Sequence, residues 1–289
     1  MIVRIGISTD PWRRDRMEDR YYHYWLSQVK FDAKLRHELK GNCAEIARAF
    51  ERDKRGLDEA AIVCRLNNCA ALGISLLLPG DALFEQVFGD LVQSGIHVPY
   101  LLYMKGDREL LKKRGIAFVG SRNVTSYGHR VTKDLVSSLK GEDLVIISGG
   151  ARGVDRIAHE TALYHGIPTI CVLGCGIGYV YPPENGPLFE QISRVGLLVS
   201  EYEPGLAPLR YFFPERNRII AQLSDYVVVT SATAKSGALL TAEYAMACNH
   251  EVLTVPYGIY EETGEGCNFL VEAGAGIITK IEHLIEIIS

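Results

Sequence analysis

From about residue 116 to the end of the chain, short apolar runs alternate with stretches whose apolar residues recur at helical spacing. The apolar runs predict seven strands, which are IAFVG, LVIISGG, PTICVLG, GLLVSEY, DYVVVTSA, EVLTVPY and GIITK. The stretches between them, such as VTKDLVSSLK, VDRIAHETALYHG and PLFEQISRV, predict amphipathic helices. This alternation is typical of a parallel sheet with helices on both faces. The sequence therefore predicts an α/β fold with an extended Rossmann-like, doubly wound, mainly parallel sheet over residues 116–289.

Residues 1–80 carry a different pattern, in which charged and alanine-rich stretches replace the alternating apolar runs. The segment DEAAIVCRLNNCAALGIS has helical spacing, and YYHYWLSQVK and GNCAEIARAFERDKRG indicate further short helices with charged faces. The later segment HVPYLLYMKGDREL has the pattern of an extended connection. We therefore expect a small helical N-terminal domain over residues 1–80 and a connection over residues 81–115 that leads into the large domain.

Composition and charge narrow the class of protein. The 289 residues are 47% apolar and 23% charged, with a net charge of −4, as in an ordinary globular protein. No apolar stretch reaches the ~18 residues of a membrane span, and the N-terminus lacks the pattern of a secretory signal, so we expect a cytoplasmic protein without a membrane partner. The seven cysteines include no Cys-x-x-Cys pair, which predicts reduced thiols and no zinc site.

Basic residues follow several of the predicted strands. In an open parallel sheet, ligands bind beyond the carboxyl ends of the strands, where the following loops converge. Four of the first five such loops carry arginine or lysine, at Arg122, Arg152, Arg210, Arg216, Arg218 and Lys235. An acidic chain is thus predicted to gather cations in one crevice, which favours an anionic ligand.

The stretch LVIISGGARGVD joins a predicted strand to a helix through glycines and one arginine. Glycines let the backbone approach an anion closely, and the N–H groups at a helix start favour negative charge. Arg152 could then form paired hydrogen bonds to phosphate oxygens. The same glycines could equally make only a tight turn with Asp155 as a helix cap or counter-ion of Arg152, and it is the convergence of basic loops that favours a phosphate site.

The stretch FFPERNR places two aromatic residues beside cations. Proteins that bind single-stranded nucleic acid combine cations for the backbone with aromatic faces for the bases. A solvated helix start with surface ion pairs would show the same pattern. Together with the basic loops, the stretch favours nucleic acid as the ligand.

The motifs of nucleotide cofactors are missing where they would be expected. GSRNVTSYG follows the first predicted strand in place of G-x-G-x-x-G, and the chain contains no P-loop sequence. His159 and His165 have no metal-ligand spacing and are interpreted as packing or surface residues. Ser236 has no evident histidine partner, so no catalytic set emerges. The sequence predicts neither a cofactor, a metal nor an enzyme.

Five separated motifs, GSR, SGGARGVDRIAHETAL, CVLGCGIGYVYPPEN, FPERNRIIAQLSDYVVV and KSGALLTAEYA, occur in the order and spacing of one known family. On these motifs, residues 97–275 resemble the DNA-processing protein A (DprA/Smf) family. The resemblance implies a protein that binds single-stranded DNA, forms a homodimer and helps load RecA recombinase onto incoming DNA in natural transformation and homologous recombination. Members are not enzymes in that role. The first 80 residues resemble the family's helical (SAM or helix-hairpin-helix) domain only through YWLSQV and the helical pattern, and no winged-helix module is expected after IEHLIEIIS.

The resemblance and the strand ends select the same candidate residues for binding DNA phosphates. These are Gly120, Ser121, Arg122, Ser148, Gly149, Gly150, Arg152, Arg210, Phe213, Arg216, Asn217, Arg218, Lys235, Ser236 and Gly237. Two departures from the family pattern fall near them. Ser231-Ala232 replaces Glu-Ala after the fifth predicted strand, and Pro256-Tyr257-Gly258 replaces Pro-Gly after the sixth. These departures leave ligand specificity open.

Two other functions stay open at this point. Related lysine-decarboxylase-like proteins hydrolyse nucleoside monophosphates in a comparable crevice, and Glu243 is the nearest candidate for their catalytic glutamate. A sensor that binds a mononucleotide in the same crevice is the other possibility. For a homodimer, apolar residues of NFLVEAGAGIITKIEHLIEII are candidates for the interface, although core packing would explain them equally well.

Overall fold

The computed structural model describes residues 59–289. The helices predicted from YYHYWLSQVK and GNCAEIARAFERDKRG, and most of the predicted N-terminal domain, lie outside the described residues. The strands of the described part are β1 (Ser75–Leu77), β2 (Leu102–Gly106), β3 (Arg114–Gly120), β4 (Leu144–Ser148), β5 (Thr169–Val172), β6 (Leu197–Ser200), β7 (Tyr226–Ser231), β8 (Glu251–Thr254) and β9 (Gly276–Ile277). Its helices are α1 (Glu59–Ala71), α2 (Ala82–Gln93), α3 (Ser126–Ser138), α4 (Val154–His165), α5 (Gly186–Val195), α6 (Phe212–Gln222), α7 (Gly237–Ala247), α8 (Glu265–Glu272) and α9 (Ile281–Ile288), with short 3₁₀ turns at Arg108–Lys112, Pro183–Asn185 and Glu262–Gly264.

These strands form one sheet in the order β1-β2-β6-β5-β4-β3-β7-β8-β9. The pairs from β6 through β9 are all parallel, whereas β1 pairs with β2 and β2 with β6 in antiparallel fashion. The chain order reverses at β3, with β4 to β6 on one side and β7 to β9 on the other. This topology confirms the predicted doubly wound, Rossmann-like fold. Its ligand crevice is expected beyond the carboxyl ends of the strands, beside β3.

Apolar side chains are buried on both faces of the sheet. In β5, Ile170 and Val172 belong to one hydrophobic cluster, and Cys171 belongs to another together with the adjoining Leu173. Successive side chains of a strand point to opposite faces, so the two clusters lie on opposite sides of the sheet. This double burial explains why the strands read as continuous apolar runs in the sequence.

Residues 75–106 contain more regular structure than the sequence pattern indicated. The predicted connection over residues 81–115 includes α2, β2 and a 3₁₀ turn, and the predicted N-terminal helix DEAAIVCRLNNCAALGIS stops at Ala71, after which β1 begins. β2 pairs with β6, nearly a hundred residues further along the chain. Gly106 at the end of β2 has φ +121°, and a Cβ there would lie 2.2 Å from the carbonyl oxygen of Gly196. Such a distant partner cannot be recognised from local alternation, so the sheet is larger than predicted.

Within residues 59–289, no helix is both long and apolar enough to cross a lipid bilayer.

Candidate nucleic-acid interface

A small open pocket lies beyond the carboxyl ends of β3, β4 and β5, against the start of α6. Its volume is about 50 Å³. The residues that line it, here called the arginine pocket, are Arg122, Gly149, Gly150, Ala151, Arg152, Gly174, Tyr181, Pro182, Phe213 and Arg216. Six residues predicted from separate motifs therefore meet at one place: Arg122, Gly149, Gly150, Arg152, Phe213 and Arg216.

The glycine turn after β4 already holds an anion that belongs to the protein. Asp155, which is 6% exposed, accepts hydrogen bonds from the backbone N–H groups of Gly149 at 3.1 Å and Ala151 at 3.2 Å. Burial raises the pKa of the Asp155 carboxyl, and Arg216 and the two N–H groups oppose that shift. The sequence suggested Asp155 as a helix cap or as a counter-ion of Arg152. The structure instead places its carboxylate in the turn, with Arg216 as the arginine that acts on it most.

Arg216 is a buried structural cation at the floor of the pocket. Its side chain is 5% exposed, and its guanidinium donates hydrogen bonds to the carbonyl oxygens of Gly149 and Val172. A Cβ on Gly149 would lie 2.5 Å from three guanidinium atoms, so glycine is needed where the guanidinium packs. Burial lowers the pKa of Arg216, and Asp155 opposes that shift. Direct contact of Arg216 with DNA remains a prediction.

Arg122 and Arg152 are the exposed cations of the pocket. The guanidinium carbon of Arg122 lies 5.6 Å from the centroid of the Phe213 ring, in cation–π geometry. The side chain of Arg152 is 62% exposed and forms an ion pair with Glu184 in the turn after β5. Because exposed ion pairs contribute little, a phosphate can replace Glu184 as the partner of Arg152.

The two phenylalanines of FFPERNR differ in their environments. Phe212 is buried and stacks on Tyr202, with ring centroids 3.8 Å apart. Phe213 lines the pocket and packs against Gly174, where a Cβ would lie 2.7 Å from the ring. Only Phe213 of this pair can therefore offer an aromatic surface to a ligand in the pocket.

Tyr181 and Glu184 belong to the site but were not predicted. Both follow β5 in the quoted stretch YVYPPEN, which contains no arginine or lysine. A search for cations at strand ends therefore passed over it. The tyrosines of that loop, Tyr179 and Tyr181, were the feature of the sequence that could have identified it.

Other predicted site residues have structural partners. Ser148 is buried and donates a hydrogen bond to the carbonyl oxygen of Phe118 at 2.6 Å. Gly120 is tightly packed, since a Cβ there would lie 2.5 Å from Val154. The backbone N–H of Ser121 donates to the carbonyl oxygen of Ser231 at 2.7 Å. These residues shape the crevice from beneath.

The remaining predicted residues lie on the loops beside the pocket. Arg218 forms a largely buried ion pair with Glu201. Ser236 accepts a hydrogen bond from the backbone N–H of Ala238 at 3.3 Å and so caps α7, and Asn217 donates to the carbonyl oxygen of Gly237 at 3.1 Å. Arg210 and Lys235 are exposed. Lys235 lines a separate groove, so the arginine pocket does not include the KSG turn.

The two departures from the family pattern lie outside the arginine pocket. The Tyr257 hydroxyl donates to the carbonyl oxygen of Thr230 at 2.8 Å, and a Cβ on Gly264 would overlap the Tyr257 ring. The Ser231 hydroxyl donates to the carbonyl oxygen of Thr263 at 3.3 Å. Neither residue lines the arginine pocket. A direct effect of these departures on phosphate contacts at the pocket is therefore not expected.

His159 lies in the core beneath the glycine turn. Its Nδ1 is 2.7 Å from the hydroxyl of Thr169, and burial lowers its pKa to about 3, with Arg216 acting in the same direction. The ring is thus uncharged and packed, as its interpretation as a packing residue expected. No group of three or more potential metal-ligating side chains occurs in the part of the chain that the structure describes.

The fold and the pocket together define a Rossmann-type protein with a cationic, partly aromatic crevice. The family model for DNA recombination-mediator protein A matches residues 81–289. The chain therefore belongs to the DNA recombination-mediator protein A family, the DprA/Smf family indicated by its motifs.

Individual relatives agree with this assignment. The chain is 41% identical over 182 residues to DNA processing protein DprA of Streptococcus pneumoniae, covering 63% of this chain and 64% of the relative. It is 43% identical over 171 residues to protein Smf of Synechocystis, covering 59% of this chain and 43% of the relative. These matches span less than two thirds of the length of either relative.

Two solved structures are similar to most of the chain. The X-ray structure of DNA processing protein A from Streptococcus pneumoniae has a TM-score of 0.74 at 29% identity, covering 94% of this chain and 96% of that chain. DNA processing protein A from Helicobacter pylori, studied for its single-stranded DNA binding mode, has a TM-score of 0.65 at 33% identity, covering 74% and 95%.

Proposed function

We propose that the chain binds single-stranded DNA at the arginine pocket and acts as a recombination mediator. Arg122 and Arg152 supply exposed cations for backbone phosphates, and Phe213 supplies an aromatic ring beside them. Cations combined with aromatic faces are what sequence-independent binding of single strands requires. The relative from Helicobacter pylori, with its single-stranded DNA binding mode, supports this ligand.

The proposal rests on the small volume of the pocket and on the presence of Asp155 in its glycine turn. Sites that enclose small molecules are clefts of roughly 300–1,000 Å³, whereas the arginine pocket holds about 50 Å³. Asp155 also occupies two N–H groups of the glycine turn that a terminal phosphate would otherwise use. An open rim with two exposed arginines suits a phosphodiester that passes across it better than a mononucleotide held inside it.

The nucleotide-hydrolysing alternative has less support. Glu243, its candidate catalytic residue, is exposed on α7 and does not line the arginine pocket. Release of free base from a panel of nucleoside monophosphates would nevertheless restore this alternative, and a rise in melting temperature with a mononucleotide would favour a sensor.

The direct test measures the affinity for a labelled oligo-dT and for a matching duplex by fluorescence anisotropy across a salt series. We expect tighter binding to oligo-dT than to the duplex, weakening steeply with salt. Arg122→Ala should weaken oligo-dT binding and reduce the salt slope by about one phosphate contact. The melting temperature should stay unchanged, because Arg122 is exposed.

Arg194→Ala is the matched control. Arg194 is an exposed arginine in the last turn of α5 and forms an ion pair with Glu190 in its own helix. Because α5 begins beside the pocket and runs ten residues away from it, this variant should bind like the unchanged protein. Equal affinity and equal salt slope for Arg122→Ala and Arg194→Ala would remove the pocket from the proposal. No binding of oligo-dT at low salt would reject DNA as the ligand.

The finer role follows from the same family membership. We expect the chain to protect incoming single-stranded DNA, to help load RecA recombinase onto it in transformation, and to act in the cytoplasm without catalysing a reaction. We also expect a homodimer. Ile259, Tyr260 and Phe269 line one open groove bordered by four glutamates and are 85%, 93% and 58% exposed. An apolar centre with a charged rim is the usual composition of a protein interface.

A further inference from the structure

Two aromatic rings from different loops meet at the rim of the arginine pocket. Tyr181, after β5, and Phe213, at the start of α6, have ring centroids 5.5 Å apart and an interplanar angle of 44°. The Tyr181 side chain is 41% exposed. Tyr181 lies in the motif CVLGCGIGYVYPPEN but is not among the predicted binding residues. It nevertheless exposes more than a third of its surface in the same pocket as the cations.

The rings stand between the two exposed arginines. Arg122 lies over the Phe213 ring. Arg152 lines the same pocket as Tyr181 and pairs with Glu184, three residues further along the Tyr181 loop. Along the rim the order is therefore cation, ring, ring, cation. A single-stranded chain presents phosphates and bases in a similar alternation, with the bases free to stack on aromatic faces.

Exposed apolar side chains occur on the two loops beyond Tyr181. The loop after β5 and the loop after β6 are joined by hydrogen bonds from Gly176 N–H to the Leu206 carbonyl oxygen and from Gly205 N–H to the Ile177 carbonyl oxygen, each 2.9 Å. The large exposed apolar side chains on the joined loops, besides Tyr181, are Tyr179, Val180, Leu206, Leu209 and Tyr211. Several exposed apolar side chains on two loops that are bonded to each other favour a binding surface there.

We infer that Tyr181 is a base-stacking residue and that the nucleobases lie on the side of the pocket formed by the joined β5 and β6 loops. Phe213 supports the Tyr181 ring, while Arg122 and Arg152 hold the flanking phosphates. The bases thus point away from the Lys235 loop, which lines a different groove. This inference rests on the proposed function, because it names how the strand lies in the same site.

The test compares Tyr181→Ala and Tyr181→Phe with two ligands, oligo-dT and an abasic strand of the same length. Removal of one stacking contact should weaken oligo-dT binding roughly 5- to 100-fold. Tyr181→Phe, which keeps the ring, should bind like the unchanged protein. On the abasic strand, Tyr181→Ala should not lower the affinity. Arg122→Ala should still weaken binding to this strand, because the phosphates remain.

Tyr164→Ala is the control. Tyr164 is 83% exposed near the end of α4, the end of the helix that is distant from the pocket. Melting temperatures show whether each variant is folded. Unchanged oligo-dT affinity in Tyr181→Ala, with Arg122→Ala weakened, would overturn the inference and leave the proposed function intact. An equal loss on oligo-dT and on the abasic strand would assign Tyr181 a packing role and overturn it as well. If the unchanged protein fails to bind oligo-dT, both proposals fall.

Discussion

Several ionisable residues are buried beneath the arginine pocket. His159 is buried and uncharged, with its Nδ1 held by Thr169. Asp155 and Arg216 lie in the same buried layer. Burial in this layer favours the neutral form of the imidazole, and the positive charge of Arg216 acts in the same direction.

The depressed pKa of His159 makes folding sensitive to acid. The imidazole has a pKa of about 3 in the folded protein and an ordinary value of 6.5 when unfolded. Between these values the unfolded state binds one more proton than the folded state, so His159 has no effect on the free energy of unfolding above pH 6.5. Below pH 6.5 the free energy of unfolding falls, by up to about 1.4 kcal/mol per pH unit. Urea unfolding at pH 7.5, 6 and 5 measures it.

His159→Gln isolates this effect, because glutamine can still bond to Thr169 but does not titrate. The difference in unfolding free energy between the two proteins should change with pH below 6.5 and be constant above it. The other histidines and Asp155 are common to both proteins and cancel. If the unfolding free energies of the two proteins change with pH in parallel over the whole range, the pH dependence does not come from His159.

At the level of elements, Arg216 connects three of them. It extends from α6 and donates to the carbonyl oxygens of Gly149, after β4, and Val172, at the end of β5. The pattern FPERNR indicated a cation at the site, but it could not distinguish a guanidinium that faces DNA from one that holds two strand ends together. That distinction depends on the depth at which α6 packs, which only the assembled fold determines.

Arg216→Ala should therefore destabilise the fold rather than only weaken DNA binding. Truncation leaves the carbonyl oxygens of Gly149 and Val172 buried without their charged donor, which typically costs about 1–3 kcal/mol for each unsatisfied group. Urea unfolding compared with Arg122→Ala, an exposed position expected to change stability by less than about 0.5 kcal/mol, measures the effect. A variant that unfolds like the unchanged protein but no longer binds oligo-dT would return Arg216 to the phosphate contacts.

At the scale of the whole molecule, the predicted homodimer depends on the groove at Phe269. Phe269→Arg places a charge at the apolar centre of the proposed interface and should convert a dimer into a monomer, as measured by light scattering coupled to size exclusion. Val195→Arg is the control, because Val195 is 62% exposed at the end of α5, outside the groove. A dimer that persists in Phe269→Arg would place the interface elsewhere, and a monomeric unchanged protein would reject the dimer.

The sequence predicted the parallel part of this architecture because each strand from β3 to β9 carries its own apolar run. It did not predict β1, β2 or α2. The segment LLYM, for example, forms a strand by pairing with β6, which is distant in the sequence. The candidate site shows the same division. The strand ends and the family motifs predicted that Arg122, Arg152 and Phe213 lie together, and all three line the arginine pocket. The position of Tyr181 and the depth of Arg216 depend on how separate loops pack against one another.

The lengths of the outermost strands limit how the molecule can associate. Within residues 59–289, the sheet ends in β1, of three residues, and β9, of two. Such short edges offer few free backbone groups for another strand to join. Two copies would therefore not share one continuous sheet through these edges, and recognition between them would depend on side chains. Interface mutations could then tune a dimer without disturbing the backbone framework that positions the arginine pocket.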